Sequence, residues 1–533
     1  MSNTLKNTSI AASLCILFYL SFAYELKGSF LCNIFNPAYY SDSGIIYKLL
    51  FSVAVVAVVF LFAKLIKSKY LRKNKFLNSL FNEKAFLLFM LVAGFTASIL
   101  IPLYQIPDEP AHITMIYEEL GLNASFVSFF GLYTQPMDLI HDPDAKVDLI
   151  TYFNSGIFLS LPEILSSPSI ALIKHFPQAV GLLLCSWLKC SLFVTSLVCE
   201  SLAVIFSSFV CYYALKLMPT RKLVFSAIMA LPLCIQQNGS FSYDAVLVPV
   251  CFLLFAYILN IKFLKEKFKI SDLIIIICLT LIIAIIKIPY VLIAAVVFLI
   301  PSDKYAFKLY KWELNGISWD KYKKILIPTI VILMIIGVFG ILMITRGSVF
   351  VNLLLASIIN FPRTLLLIGK FVVLDVCRIW ASHIWDFGWL NIQPSVYFLL
   401  FIVVSVFIFN FVVSNKSRRI KFSIREGVAI FIIFCICFYL ITISMVEHTL
   451  FLQGIDVSSL SLQDFIQKYA SIDRILGLQG RYYIPILPLL CFSFCSSKLT
   501  SLFKNINYKL YSPIYFSIVF IYIVVIMLTR YWI

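Results

Sequence analysis

Two carboxylates stand side by side between two prolines in Ile106-Pro107-Asp108-Glu109-Pro110-Ala111-His112. Adjacent like charges push one of the two pKa values upward, which suits a general base. Pro110 fits the first turn of a helix with Glu109 near its cap, and that helix carries His112 one turn in. The plain alternative is a capped interfacial helix with solvated acids. Three more clusters mix polar groups with apolar surroundings. In Gln236-Gln237-Asn238-Gly239-Ser240-Phe241-Ser242-Tyr243-Asp244 a turn forms at Gly239 and Ser240, and either Ser242 or Asp244 caps the next helix or the cluster binds a ligand. Lys287-Ile288-Pro289-Tyr290 sets a compact cation among isoleucines, where it snorkels to headgroups or binds a phosphate. Arg481 follows the flexible run Gly477-Leu478-Gln479-Gly480 and precedes Tyr482 and Tyr483. Its guanidinium suits a phosphate or diphosphate, or anchors an aromatic belt. Arg378, Trp380, His383, Trp385, Asp386 and Trp389 form a similar collection.

The elements that must carry these residues are apolar. The chain has 533 residues, of which 61% are hydrophobic and 13% charged; soluble domains run about 45–50% and about 25%. Apolar residues arrive in blocks of about 17–25, the length of a membrane-spanning helix, and the alternation of a β-barrel is absent. The expected class is all-α: a polytopic transmembrane helical bundle. About thirteen spans are predicted, at 8–24, 46–66, 83–103, 192–215, 222–238, 243–260, 271–286, 288–302, 324–345, 393–414, 426–446, 481–497 and 512–530. The first is read as a retained helix rather than a cleaved signal. Residues 171–191 and 348–392 are apolar but interrupted by charge, and are expected at the outer interface or re-entering it.

Lysine and arginine crowd the loop at 67–84, which makes it cytoplasmic. The remaining sides then alternate. Basic loops fall inside, and the acidic 104–170 loop, with Lys146 as its only basic residue, falls outside. The N-terminus is cytoplasmic, and all the polar clusters face the extracytoplasmic side of a multi-pass cell-membrane protein. The net charge of +17 therefore reflects orientation, not nucleic acid. One integral membrane domain is expected. Residues 1–82 hold two extra spans, 83–497 the core with an external loop at 104–191, and 498–533 the last span. No Gly-rich nucleotide signature and no metal-ligand spacing is present, and the cysteines read as small core hydrophobes. The sequence implies no cofactor; a divalent metal beside the acidic pair is compatible but not required.

The order of PDEPAH at 107–112, SYDA at 242–245, KIPY at 287–290, FGWLNIQPSVY at 387–397 and GLQGRYYIPILPLL at 477–490 resembles a family of bacterial predicted membrane proteins, DUF2142, across roughly residues 85–495. That family is grouped with the GT-C glycosyltransferases. The resemblance implies transfer of a sugar from a polyprenyl-phosphate donor to a cell-envelope glycan or lipid-linked acceptor, at the external face, among membrane lipids. It implies that Asp108 or Glu109 is the base. Beside it, the clusters themselves offer His112 to orient the base or contact the acceptor, Lys287 and Arg481 to stabilise the departing phosphate, and Asp244, Tyr290, Arg378 and Tyr482 as further substrate-binding candidates. Two extra spans before the acidic loop depart from the usual layout. A transporter or flippase of lipid-linked sugars is the alternative from another class, although the midplane charges and broken repeated halves expected of one are not seen. A non-catalytic scaffold in polysaccharide assembly is the third reading.

Overall fold

The computed structural model describes residues 83–123, 164, 166–304, 348–377, 385–388, 390, 392–412, 422–457, 460–494 and 508–532. The expected spans at 8–24, 46–66 and 324–345, and Arg378, lie outside the described residues. Within them the architecture is helical. Helix α1 (Glu83–Leu100) stops ahead of Pro102, and α2 (Glu109–Glu119) begins with Pro110 in its first turn. A 3-10 turn (Ile170–His175) leads into α3 (Phe176–Trp187). Next comes α4 (Leu192–Leu217), whose cap Ser191 accepts a hydrogen bond from the Val194 N–H.

Residues 222–238, expected as one span, form two short helices, α5 (Lys222–Met229) and α6 (Pro232–Asn238). Pro232 is the cause: it lacks an N–H and holds Leu231 out of the helical region at ψ 138°. Helices α7 (Asp244–Phe263) and α8 (Ile270–Ile286) follow as expected. The next segment, Ile288–Leu299, is a 3-10 helix of 12 residues. At about 2.0 Å per residue it reaches about 24 Å, where an α-helix of that length would reach about 18 Å.

Helices α9 (Ser348–Ile359) and α10 (Phe361–Phe371) are bent by 97° at Asn360, and a π-turn, Val372–Val376, extends α10. This is the geometry of a re-entrant loop or a broken span. Beyond it lie α11 (Val396–Phe411), α12 (Ile424–Leu452) and α13 (Leu462–Ser471). The expected span at 481–497 is a 3-10 segment, Gly480–Ile486, continued by α14 (Leu487–Ser493), and α15 is Tyr508–Tyr531. Arg363 donates to the Ile472 carbonyl and Lys370 pairs with Asp473 at 2.5 Å, which fastens α10 to the segment after α13.

Among the described residues six helices are long and apolar enough to cross a membrane, or seven if the bent pair is one span. One of the six, Ile170–Trp187, falls where an interfacial or re-entrant helix was expected. It packs as a hairpin on α4, where Gly181 lies so close that a Cβ would meet the Cys199 Cα at 2.8 Å. Helix α7 is the axis of the bundle: most of its residues are buried, against α4, α8 and the 288–299 helix.

Charges separate to the two ends of this bundle. At one end Lys222 pairs with Glu83 at 2.5 Å, Lys262 with Glu426 and Lys265 with Asp272, while Lys304 donates to the Lys262 and Lys265 carbonyls. The other end holds the polar clusters.

Candidate active site

Asp108 precedes α2 with φ 67° and ψ 6°, in the left-handed region that aspartate and asparagine tolerate better than most residues. That twist parts the two neighbouring carboxylates. Asp108 turns outward, its side chain 53% exposed, and forms an ion pair with Arg481. Glu109 turns inward and is fully buried. Its Oε2 accepts the Tyr104 N–H at 2.8 Å and its Oε1 the Phe241 N–H at 3.3 Å, tying the end of α1 to the α6–α7 turn. Burial pushes the Glu109 carboxyl up to about 7, against the pull of these amides. Its charge also acts on Glu200, a buried carboxyl within α4.

Arg481 is buried and gathers four parts of the chain. Besides Asp108, its Nη1 donates to the Pro107 carbonyl at 3.1 Å and to Gln237 at 3.4 Å. Its Nε lies 3.7 Å from Asp244 Oδ2. At the start of α7 the Ser242 hydroxyl accepts the Asp244 N–H at 3.2 Å, as the capping reading expected of Ser242, and the Asp244 carboxylate serves as the charge partner of Arg481. Tyr482 closes the group. Its ring carries Lys287 Nζ at 3.9 Å from the centroid, and its carbonyl accepts the Tyr290 hydroxyl at 2.6 Å. Six of the residues singled out from sequence, Asp108, Asp244, Lys287, Tyr290, Arg481 and Tyr482, therefore lie in one linked cluster. Arg378 lies outside the described residues.

The turn at 386–388 joins them: the Gln236 amide donates to the Gly388 carbonyl at 3.3 Å and accepts its N–H at 3.2 Å. Between that turn and Arg481 is a cleft of about 210 Å³, counting its open mouth, lined by Pro107, Gln237, Asp386 and Gly480 among others.

His112 sits one turn into α2, buried, with its ring edge-on to Tyr243 at 4.8 Å. Its Nδ1 is 3.2 Å from Nε2 of His175, whose Nδ1 is 2.9 Å from Glu119, and Glu119 also pairs with Lys174 at 2.6 Å. Burial and the neighbouring cations hold His112 well below the ordinary histidine range. Glu119, His175 and Glu200 were not singled out from sequence; His175 is separated from its partner His112 by 63 residues, a spacing no periodicity reports. Among the described residues no His/Cys/Asp/Glu cluster has the make-up of a metal site.

The arrangement offers an exposed carboxylate, a buried guanidinium and a lysine at one end of an apolar bundle. Fold and site define a polytopic helical membrane protein with a charged cluster at one end. The chain belongs to DUF2142, a family of predicted membrane proteins, which it matches over residues 176–490. That stretch contains Asp244, Lys287 and Arg481 but begins after Asp108, Glu109 and His112, so it is shorter than the resemblance expected from the motifs. No curated protein and no solved structure matches the chain.

Proposed function

We propose that the protein is a membrane glycosyltransferase that moves a sugar from a polyprenyl-phosphate donor to a cell-envelope glycan or lipid-linked acceptor on the extracytoplasmic face. The observation that carries this reading is the exposed Asp108 carboxylate on the buried Arg481 guanidinium, with Lys287 beyond Tyr482. A phosphate matches the guanidinium fork better than a single carboxylate oxygen does. When the donor phosphate takes Arg481, Asp108 is released as the base. Asp108 then accepts the proton of the acceptor hydroxyl, whose oxygen bonds to the anomeric carbon. The carbon–oxygen bond to phosphate breaks, and its electron pair leaves with the phosphate. General-base help contributes about 10²–10⁴-fold, and Arg481 and Lys287 neutralise the departing charge. Glu109, buried on two amides, is an anchor rather than the base.

The extracytoplasmic assignment is supported by the opposite end, where Lys222, Lys262, Lys265 and Lys304 collect as cytoplasmic lysines do. The deciding experiment is sugar transfer by the full chain in nanodiscs, with a panel of polyprenyl-phosphate sugars and the host's envelope glycan. Wild type should transfer and Asp108→Asn should not. A wild type that moves none of the panel would overturn the reading.

A further inference from the structure

The chain Lys174–Glu119–His175–His112 has a direction. Both Glu119 oxygens are taken, one by the Lys174 ammonium at 2.6 Å and one by His175 Nδ1 at 2.9 Å, and a carboxylate accepts from both. His175 Nδ1 is therefore the N–H of that ring, and its Nε2 offers a lone pair. His112 Nδ1, 3.2 Å away, supplies the matching N–H. A neutral imidazole has one donor and one acceptor nitrogen, so His112 is left with a bare Nε2. Among the described residues that nitrogen has no hydrogen-bond partner, although His112 is 4% exposed. Nε2 is the one nitrogen of this relay left open to a donor from outside it.

Its surroundings say which donor. Arg481 and Lys287 both act on the His112 ring electrostatically, and Tyr243, which precedes Asp244, packs on it edge-on at 4.8 Å. His112 thus borders the cationic cluster, where a third cation beside Arg481 and Lys287 has no place but a neutral O–H does. We propose that His112 Nε2 accepts a hydrogen bond from a hydroxyl of the bound sugar, and that Glu119 and His175 are positioning residues that hold His112 in the tautomer able to do so. This rests on the sugar-transfer reading for the identity of the ligand, while the tautomer itself does not.

The test is nitrogen NMR of the full chain, labelled with ¹⁵N-histidine, in nanodiscs. The sequence has 5 histidines, and His112→Gln and His175→Gln assign the two resonances of interest. The expected spectrum shows His112 protonated at Nδ1 and bare at Nε2. Adding the host's envelope glycan moves the Nε2 resonance in wild type. Glu119→Ala loses the Nδ1–H preference, and Glu119→Asp restores it. In the transfer assay Glu119→Ala raises the acceptor KM about tenfold and leaves the donor KM unchanged, as for one lost hydrogen bond. A wild-type His112 protonated at Nε2 overturns the proposal, and so does a bare Nε2 that does not respond to the glycan. If the resonance responds but no sugar is transferred, the transferase reading falls and the hydroxyl site stands.

Discussion

Arg481 Nε and Asp244 Oδ2 face each other across 3.7 Å, both shut off from solvent and neither hydrogen-bonded. These two atoms meet by charge alone, inside a wider cluster in which Arg481 also pairs with Asp108 and Lys287 also acts on Asp244. Replacing one member of a buried pair costs about 3–5 kcal/mol, because the remaining charge is stranded. Arg481→Met should lower unfolding stability in detergent by that order, and Arg481→Met with Asp244→Asn should recover part of it. Equal losses in the single and double variants would show that the two charges are not coupled.

Asp108 and Glu109 should separate cleanly by assay. Asp108→Asn keeps the left-handed backbone and leaves the buried Arg481 guanidinium with Asp244 at 3.7 Å and with the Pro107 and Gln237 oxygens. It is expected to fold normally while transfer falls at least about 10²-fold. Glu109→Gln is expected to retain measurable transfer. Thermal melts beside initial rates give both answers, and the reverse pattern would make Glu109 the base.

Glu109 also sets a pH dependence. Its folded pKa of about 7 lies above the ordinary glutamate value of 4.5, so the folded state binds the proton more tightly than the unfolded one. Stability from this group is full below about 4.5 and is lost as pH rises through about 7, a change on the order of 3 kcal/mol. Melting temperature across that window should fall in wild type and should flatten in Glu109→Gln. A wild-type curve rising through the same window would be the wrong sign.

Gly181 marks a close crossing of α3 on α4. A methyl group there meets the Cys199 backbone, which has no rotamer to give. Gly181→Ala should destabilise by about 1–3 kcal/mol, read as a lower melting temperature in nanodiscs. Gly369→Ala, at an open position, is the control and should change little.

The class of the chain was legible because span length and loop charge are local signals. So was the gathering of Asp108, Asp244, Lys287 and Arg481: once the sides alternate, motifs hundreds of residues apart fall at one end. What the sequence did not disclose depends on direction rather than position. Asp108 and Glu109 are adjacent, yet only the backbone angle decides that one faces out and the other in. Nothing in the isoleucines after Lys287 distinguishes a 3-10 helix from an α-helix, and the break in 222–238 turned on the single Pro232. The Glu119–His175 contact joins segments separated by 56 residues, and a lone buried histidine gives no sign of its partner.

The left-handed backbone at Asp108 has a consequence for drift among descendants of this chain. Position 108 accepts Asp, Asn or Gly at little conformational cost and resists longer or branched side chains. A glutamate there strains the backbone more than the aspartate does, so the charge has no equally easy substitute. The change easiest for the fold to absorb, Asp108→Asn, is the one that would silence the proposed chemistry. Copies that keep their shape and lose their activity should therefore carry asparagine at this position more often than any other residue.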